Sequence, residues 1–324
     1  MIKMYLDFNV FIDFVEKEPK GVLYTDKTKR ELWNSLWSAL ESGVDLTLLN
    51  VPEDINDTTS RYLSILTQNR GKSNLSLTKD FQPPYKFKFN LKEHFQSIFI
   101  LDESSEIIQN KYLRNNDIFI SFKSRYLKDF ESFLFIDQPK KRAIRKKTGN
   151  FHSWEELKRY VLKATDIIIA DNYILSDYLI WSPNLIKIIS ELCANRNNMN
   201  VTIVTFNNPR SPFDLEKMHE QLIEELKMNN LRESINIVLL NKELKEHDRA
   251  IFTNYVRIRS GDSFNLFSSS GEIITKGTEL NFETLIDSEN YELYKINLNA
   301  LQEKVTLTSE NLMVIKHENR LLEN

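Results

Sequence analysis

Cysteine is almost absent from this 324-residue chain. The lone Cys193 sits in the apolar run Leu185 to Cys193, where a buried structural thiol is expected, and one cysteine excludes a disulfide framework. Glycine is scarce at seven residues, and the lack of any glycine-rich phosphate loop argues against an ATPase or a dinucleotide enzyme. No apolar run approaches the length of a membrane span, and the N-terminus reads directly as a strand rather than a leader. The expectation is therefore a cytoplasmic protein with no membrane span. A formal net charge of −3 gives no global attraction to nucleic acid or anionic membrane, so such binding would need a local patch. His94, His152, His219 and His317 show no ligand-like spacing with one another or with Cys193, so neither a zinc site nor another cofactor is expected.

What is present suits a packed α/β protein. Hydrophobic residues make up 41% and charged residues 27%, and the length favours two domains. The opening Met4 to Val15 reads as a buried strand that turns into a helix after Asp7 and Asn9. Further strands are expected at Asp45 to Val51, Ser97 to Leu101, Asp117 to Phe122 and Ser132 to Ile136, with a helix from Lys29 to Ser42. Together these predict a small N-terminal α/β domain over residues 1–138.

Between Pro139 and Gly149, six basic residues fall within positions 140–147, the composition of an exposed linker, here 139–150, or of a surface that holds a phosphate backbone. Beyond it, helices at Ser153 to Ala164, Asn184 to Asn195 and Asp214 to Asn229 alternate with strands at Asp166 to Ala170, Val201 to Phe206 and Ile235 to Leu240. Ser153 and Glu156 form a capping-box signature. The alternation predicts a mainly parallel sheet over 151–300, closed by a hairpin from Asp248 to Thr253 and Val256 to Ser260. Residues 301–324 read as a tail, with Ser309 to Asn324 as a polar helix.

The octapeptide His247-Asp-Arg-Ala-Ile-Phe-Thr-Asn254 carries the most chemistry. Side chains two apart on a strand share a face, so His247 and Arg249 would project together, with Asn254 close by after the strand ends. An imidazole, a guanidinium and an amide converging in this way suit one phosphate: the histidine as nucleophile or acid/base, the arginine as charge stabiliser.

This pattern resembles the phospholipase D superfamily signature, histidine-x-lysine-x4-aspartate, with Arg249 in the lysine place and Asn254 in the aspartate place. The order of elements from Phe151 to Phe267 is similar as well, including Asp166 to Ile174 and the helix from Pro183 onward. In that family two motifs face each other; one histidine attacks phosphorus and the other protonates the leaving oxygen. A chain with one motif resembles the members that complete the site by pairing, so the resemblance implies a homodimer that cleaves a phosphodiester without metal. Arginine keeps the charge of lysine but has a planar fork, and asparagine brings no anion. A non-catalytic module that holds nucleic acid, another anionic ligand or a protein partner is therefore the alternative. A low-glycine composition rich in Asn, Ile and Lys suggests an AT-rich bacterial genome, and either role would suit a phage-defence or toxin-type system.

Arg257 and Arg259 would share one face of the return strand, as an anion-binding or an ordinary solvent face. Asp171 follows a central strand, where open α/β sheets place ligand groups and where a carboxylate can also cap a helix. Finally, Tyr5 to Asp13 is similar to the first motif of PIN-domain nucleases, in which Asp7 would be the first of several acids around Mg²⁺ or Mn²⁺. Glu53, Asp102 and Asp117 are candidate companions, and a helix-capping role for Asp7 is the alternative.

Overall fold

The structure, a computed structural model, describes residues 1–20, 25–68, 73–79, 95–102, 118–160, 164–193, 199–207, 214–231, 234–241, 244 and 249–323. The fold is α/β, and the chain divides into two compact units, Met1–Gln138 with Thr284–Glu292, and Pro139–Glu283 with Leu293–Asn324.

Unit 1 is built on a five-stranded parallel sheet of β1 (Ile2–Asp7), β2 (Val44–Leu49), β3 (Leu75–Thr78), β4 (Ile98–Leu101) and β5 (Phe119–Phe122), in the order β3-β2-β1-β4-β5. Ile2, Met4 and Leu6 are all buried, as a central parallel strand requires. Asp7 ends β1 and caps α1 (Phe8–Glu16), accepting from Asn9 N at 2.9 Å. Helix α2 (Lys27–Ser38) runs into a π-helical turn at Ala39–Gly43, and α3 is Asp57–Gln68. A strand expected at Ser132 to Ile136 is instead the end of helix α4 (Tyr126–Phe133) and a turn. Buried Tyr126, Phe130 and Phe133 recur at helical spacing, and Phe135 takes a φ of 54°.

Unit 2 holds a mixed eight-stranded sheet: β6 (Lys141–Ile144), β7 (Asp166–Ala170), β8 (Asn200–Phe206), β9 (Ser234–Leu240), β10 (Arg249–Phe252), β11 (Val256–Ser260), β12 (Thr278–Thr284) and β13 (Met313–Val314). Its order is β13-β9-β8-β7-β10-β11-β12-β6. β7, β8 and β9 are parallel, and β10 runs antiparallel to β7 and to β11. Helix α5 (Lys187–Cys193) buries Ile188, Ile189, Leu192 and Cys193, while α6 (Leu215–Met228) buries Met218, Leu222 and Leu226, four residues apart. A longer helix, α7 (Ser288–Thr306), follows β12.

Three expectations about this half change. The basic stretch 139–150 is not merely a linker: Lys141–Ile144 is the edge strand β6, paired antiparallel with β12, with Arg142 and Ile144 turned inward and Arg142 ion-paired to Glu156. The helix expected from Ser153 is a short 3-10 turn, Trp154–Arg159. Ser153 Oγ accepts from Glu155 N at 3.2 Å, and Glu156 Oε1 accepts from His152 N at 2.7 Å. The terminal segment is no polar helix. It adds β13 to the sheet and then straps across its amino edge, where Asn319 Nδ2 donates to Ile167 O and Thr202 Oγ1, both at 3.0 Å. Among the described residues no helix is long and apolar enough to cross a membrane.

Candidate functional site

The run Ile167–Ile169 is wholly buried, which fixes β7 at the centre of the sheet and brings its carboxyl end to Asp171. Asp171 is itself fully buried. Its Oδ1 accepts from Tyr173 N at 2.9 Å, and its Oδ2 accepts from Ser263 Oγ at 2.8 Å and Phe264 N at 2.6 Å. Burial pushes this carboxyl's pKa up, further than those donors and the positive charge of Arg249 pull it down. Asp171 therefore joins two loops at the carboxyl edge of the sheet, and the 3-10 turn that follows is capped by Asp177 instead.

Arg249 opens β10 at that same edge. Ala250 pairs with Ala170, which sets Arg249 beside Asp171. Its Nη1 donates to Gly261 O at 3.4 Å, while its buried Nε has no hydrogen-bond partner among the described residues. Two more buried polar atoms at this edge share that condition, Asn207 Oδ1 after β8 and Asn265 Oδ1 beyond β11. Buried polar atoms are ordinarily paired, so three unpaired ones at one sheet edge mark a place suited to polar ligand atoms. His247 lies outside the described residues.

Asn254 does not join Arg249. Because β10 is antiparallel to β7, five residues carry the chain from the carboxyl end of β7 to its amino end, roughly 17 Å at strand rise. There Asn254 is fully buried, and its Oδ1 accepts from Thr165 N at 2.9 Å and Asp166 N at 3.3 Å. It acts as a clamp on the strand rather than a group facing substrate. The expected convergence of the octapeptide fails at this residue, since an antiparallel partner carries it away.

Arg257 and Arg259 do share a face of β11, as their spacing requires, but a single carboxylate occupies that face. Arg257 Nε donates to Glu283 Oε2 at 2.6 Å, and Arg259 Nε to Glu283 Oε1 at 2.7 Å. Sequence reasoning passed over Ser263, Asn265 and Glu283. The turn composition of Gly261-Asp262-Ser263 was the available signal for the first two; Glu283 became visible only with the pairing of β12.

Unit 1 has a polar carboxyl edge of its own. Asp7 ends β1 and Asp102 follows β4, its neighbour, at the point where the strand order reverses. Asn9 Nδ2 donates to Asp102 Oδ2 at 3.0 Å, Asn50 Nδ2 donates to Asp7 Oδ2 at 2.7 Å, and Lys123 Nζ stands 3.7 Å from Asp102 Oδ1. Burial, with Asp102 adding to it, pushes the Asp7 carboxyl up against the donors Asn50 and Asn9 and the charge of Lys123. Glu53 is not brought here; it is exposed and pairs with Lys79 at 3.0 Å. Asp117 lies outside the described residues. No group of three or more His, Cys, Asp or Glu side chains arranged for a metal occurs among the described residues. A cleft of about 880 Å³ in this unit, lined by Lys17, Trp33, Leu127 and Glu131 among others, lies at the opposite end of α1 from Asp7.

No protein-family model matches the sequence, and comparison with curated proteins finds no match.

Proposed function

We propose that unit 2 is a phospholipase D-like half-domain that binds a phosphodiester at the carboxyl edge of its sheet and cleaves it as a homodimer without metal. The observation that carries this is Arg249, a cation with an unpaired buried Nε among the described residues, next to Asp171 at the end of the central strand. A planar guanidinium there can hold two phosphate oxygens. His247 stands two residues ahead of it in the sequence. In this scheme the His247 imidazole attacks phosphorus, and the leaving oxygen takes a proton from the histidine of a second copy. Water, deprotonated by that second imidazole, then attacks phosphorus, the P–N bond breaks, and His247 is released as free imidazole. Asp171 ties together the loops beside Arg249 and does not touch substrate; Asn254 holds β7.

The test is cleavage of DNA, RNA and a small chromogenic diester by wild type, His247→Ala and Arg249→Lys, in chelator and in Mn²⁺. Chelator-resistant cleavage that falls by roughly 10²- to 10⁴-fold in His247→Ala is expected. Binding without cleavage would instead make unit 2 a phosphodiester-binding module.

A second reading rests on the Asp7–Asp102 pair, two carboxylates side by side at a strand-order reversal. With amide oxygens from Asn9 or Asn50 they could take part in holding a divalent ion that activates water for nuclease chemistry. Cleavage that requires Mn²⁺, is lost in Asp7→Asn and is indifferent to His247 would move the activity to unit 1.

A further inference from the structure

We infer that the carboxyl edge of the unit 2 sheet is a track for single-stranded nucleic acid, running from a basic turn after β6, past Arg249, to aromatic rings after β7. This names the substrate class of the phosphodiester site and rests on that assignment.

The strand register puts these groups along one edge. Arg249 Nη1 reaches Gly261 O at the end of β11, and Gly261 N donates to Glu279 O at 3.3 Å at the start of β12. Thr278 pairs with Ile144 at the end of β6, so Arg145 follows at the same edge, and a β-carbon on Gly277 would stand 3.5 Å from its side chain. Three strand spacings separate β10 from β6, roughly 14 Å, a span that a few nucleotides of extended strand would cover.

Each end of the track presents its groups on a fixed backbone. Arg145, Lys146 and Lys147 are exposed on a tight turn closed by Gly149 N donating to Arg145 O at 3.2 Å and Asn150 N donating to Ala143 O at 2.8 Å. A β-carbon at Gly149 would come within 2.5 Å of Arg145 N, so the turn is as compact as the chain allows. At the other end, Tyr173 is 41% and Tyr178 50% exposed, on the loop that leaves β7 directly after Asp171. Asn265 Nδ2 and Ser176 Oγ hold the carbonyl of Tyr173 at 2.6 Å and 2.7 Å. Tyr178 sits in a 3-10 turn capped by Asp177, its ring edge-on to buried Trp181 at 5.1 Å.

Exposed rings on an ordered backbone are useful for stacking bases, whose faces are presented only when a strand is unpaired. Cations spaced along the same edge would follow the phosphates. A duplex hides its base faces, and a lipid headgroup has none. The chain's net negative charge makes this local concentration of Arg and Lys the more distinctive.

The experiment is anisotropy with labelled oligothymidylate and oligouridylate on the full-length protein in chelator, across a salt series. The charge reversal Lys146→Glu with Lys147→Glu should weaken binding at least tenfold and reduce the log–log salt slope by about 1.4, at roughly 0.7 per phosphate contact. Tyr178→Ala should weaken it by roughly 5- to 150-fold with the slope unchanged, and Tyr178→Phe should restore it. Thermal melts identify any variant that fails to fold. Equal affinity for duplex, or indifference to both the charge reversal and Tyr178→Ala, overturns the track. So does binding to anionic vesicles with no oligonucleotide bound. If oligonucleotides do not bind while a small diester is still cleaved through His247, the track fails and the phosphodiester site stands. Oligonucleotide binding through these residues with no cleavage retains the track and removes the catalysis.

Discussion

Asp171 has three donors and no contact with water, and that combination gives it a pH signature. Its folded pKa is raised, so the folded state holds a proton that the unfolded chain has already released. The stabilisation is fully present below the ordinary carboxylate value, about 3.9, and is lost as pH rises through the raised folded value. Wild type should therefore gain stability relative to Asp171→Asn as pH is lowered from neutrality toward 4, read from urea midpoints of both proteins at each pH. A difference that stays flat, or moves the other way, would mean that the carboxylate is satisfied as an anion by Tyr173, Ser263, Phe264 and Arg249. Such a site would be a preformed electrostatic pair, whereas a proton-holding Asp171 leaves the charge of Arg249 more fully available to a phosphate.

At the scale of the element, the β7–β10 pair separates two jobs that the spacing of one octapeptide combines. Arg249 and Asn254 lie at opposite ends of the ladder, and Asn254 satisfies the amides of Thr165 and Asp166. Removing it leaves buried donors unpaired at roughly 1–3 kcal/mol each, so Asn254→Ala should lower unfolding stability by about 2–4 kcal/mol. It should leave the affinity of the folded protein for a diester unchanged; unchanged stability with lost affinity would return Asn254 to the binding site. The extents of β7, β8 and β9 were legible in the sequence because Ile- and Val-rich runs bounded by polar residues have few alternatives, and that of β11 because Val256 and Ile258 alternate with two arginines. β6 was not legible, because its charge obscured a two-residue alternation in which Arg142 points inward to an acid. The terminal strap was hidden for a related reason: Asn319 and Arg320 look like solvent residues until β7 and β8 supply their partners. The site was half legible. Type and spacing brought out Arg249 and Asp171, while the occupation of Arg257 and Arg259 by Glu283 depended on β12, whose two-residue alternation from Thr278 to Thr284 sequence reasoning passed over.

For the whole molecule, each unit offers a polar carboxyl edge, and the chemistry proposed for each asks for more groups than the described residues bring there. Among the described residues unit 1 brings two carboxylates together, where hard divalent ions require several converging oxygens. Unit 2 has a single such octapeptide in the sequence, hence one motif imidazole, where the proposed attack on phosphorus and protonation of the leaving oxygen call for two. If a second copy supplies the missing imidazole, activity belongs to the pair and not to the chain. Titrating wild type with a growing excess of His247→Ala should then suppress the activity per wild-type chain, because mixed pairs hold one imidazole and homogeneous wild-type pairs become rare. Specific activity of wild type should also fall on dilution below the dissociation constant of the pair, in parallel with the dimer fraction from sedimentation. Activity that scales only with the amount of wild type, at every ratio and dilution, would show that one chain suffices. The second proton donor would then have to come from that chain itself, where His152, His219 and His317 are the described histidines available for substitution in turn.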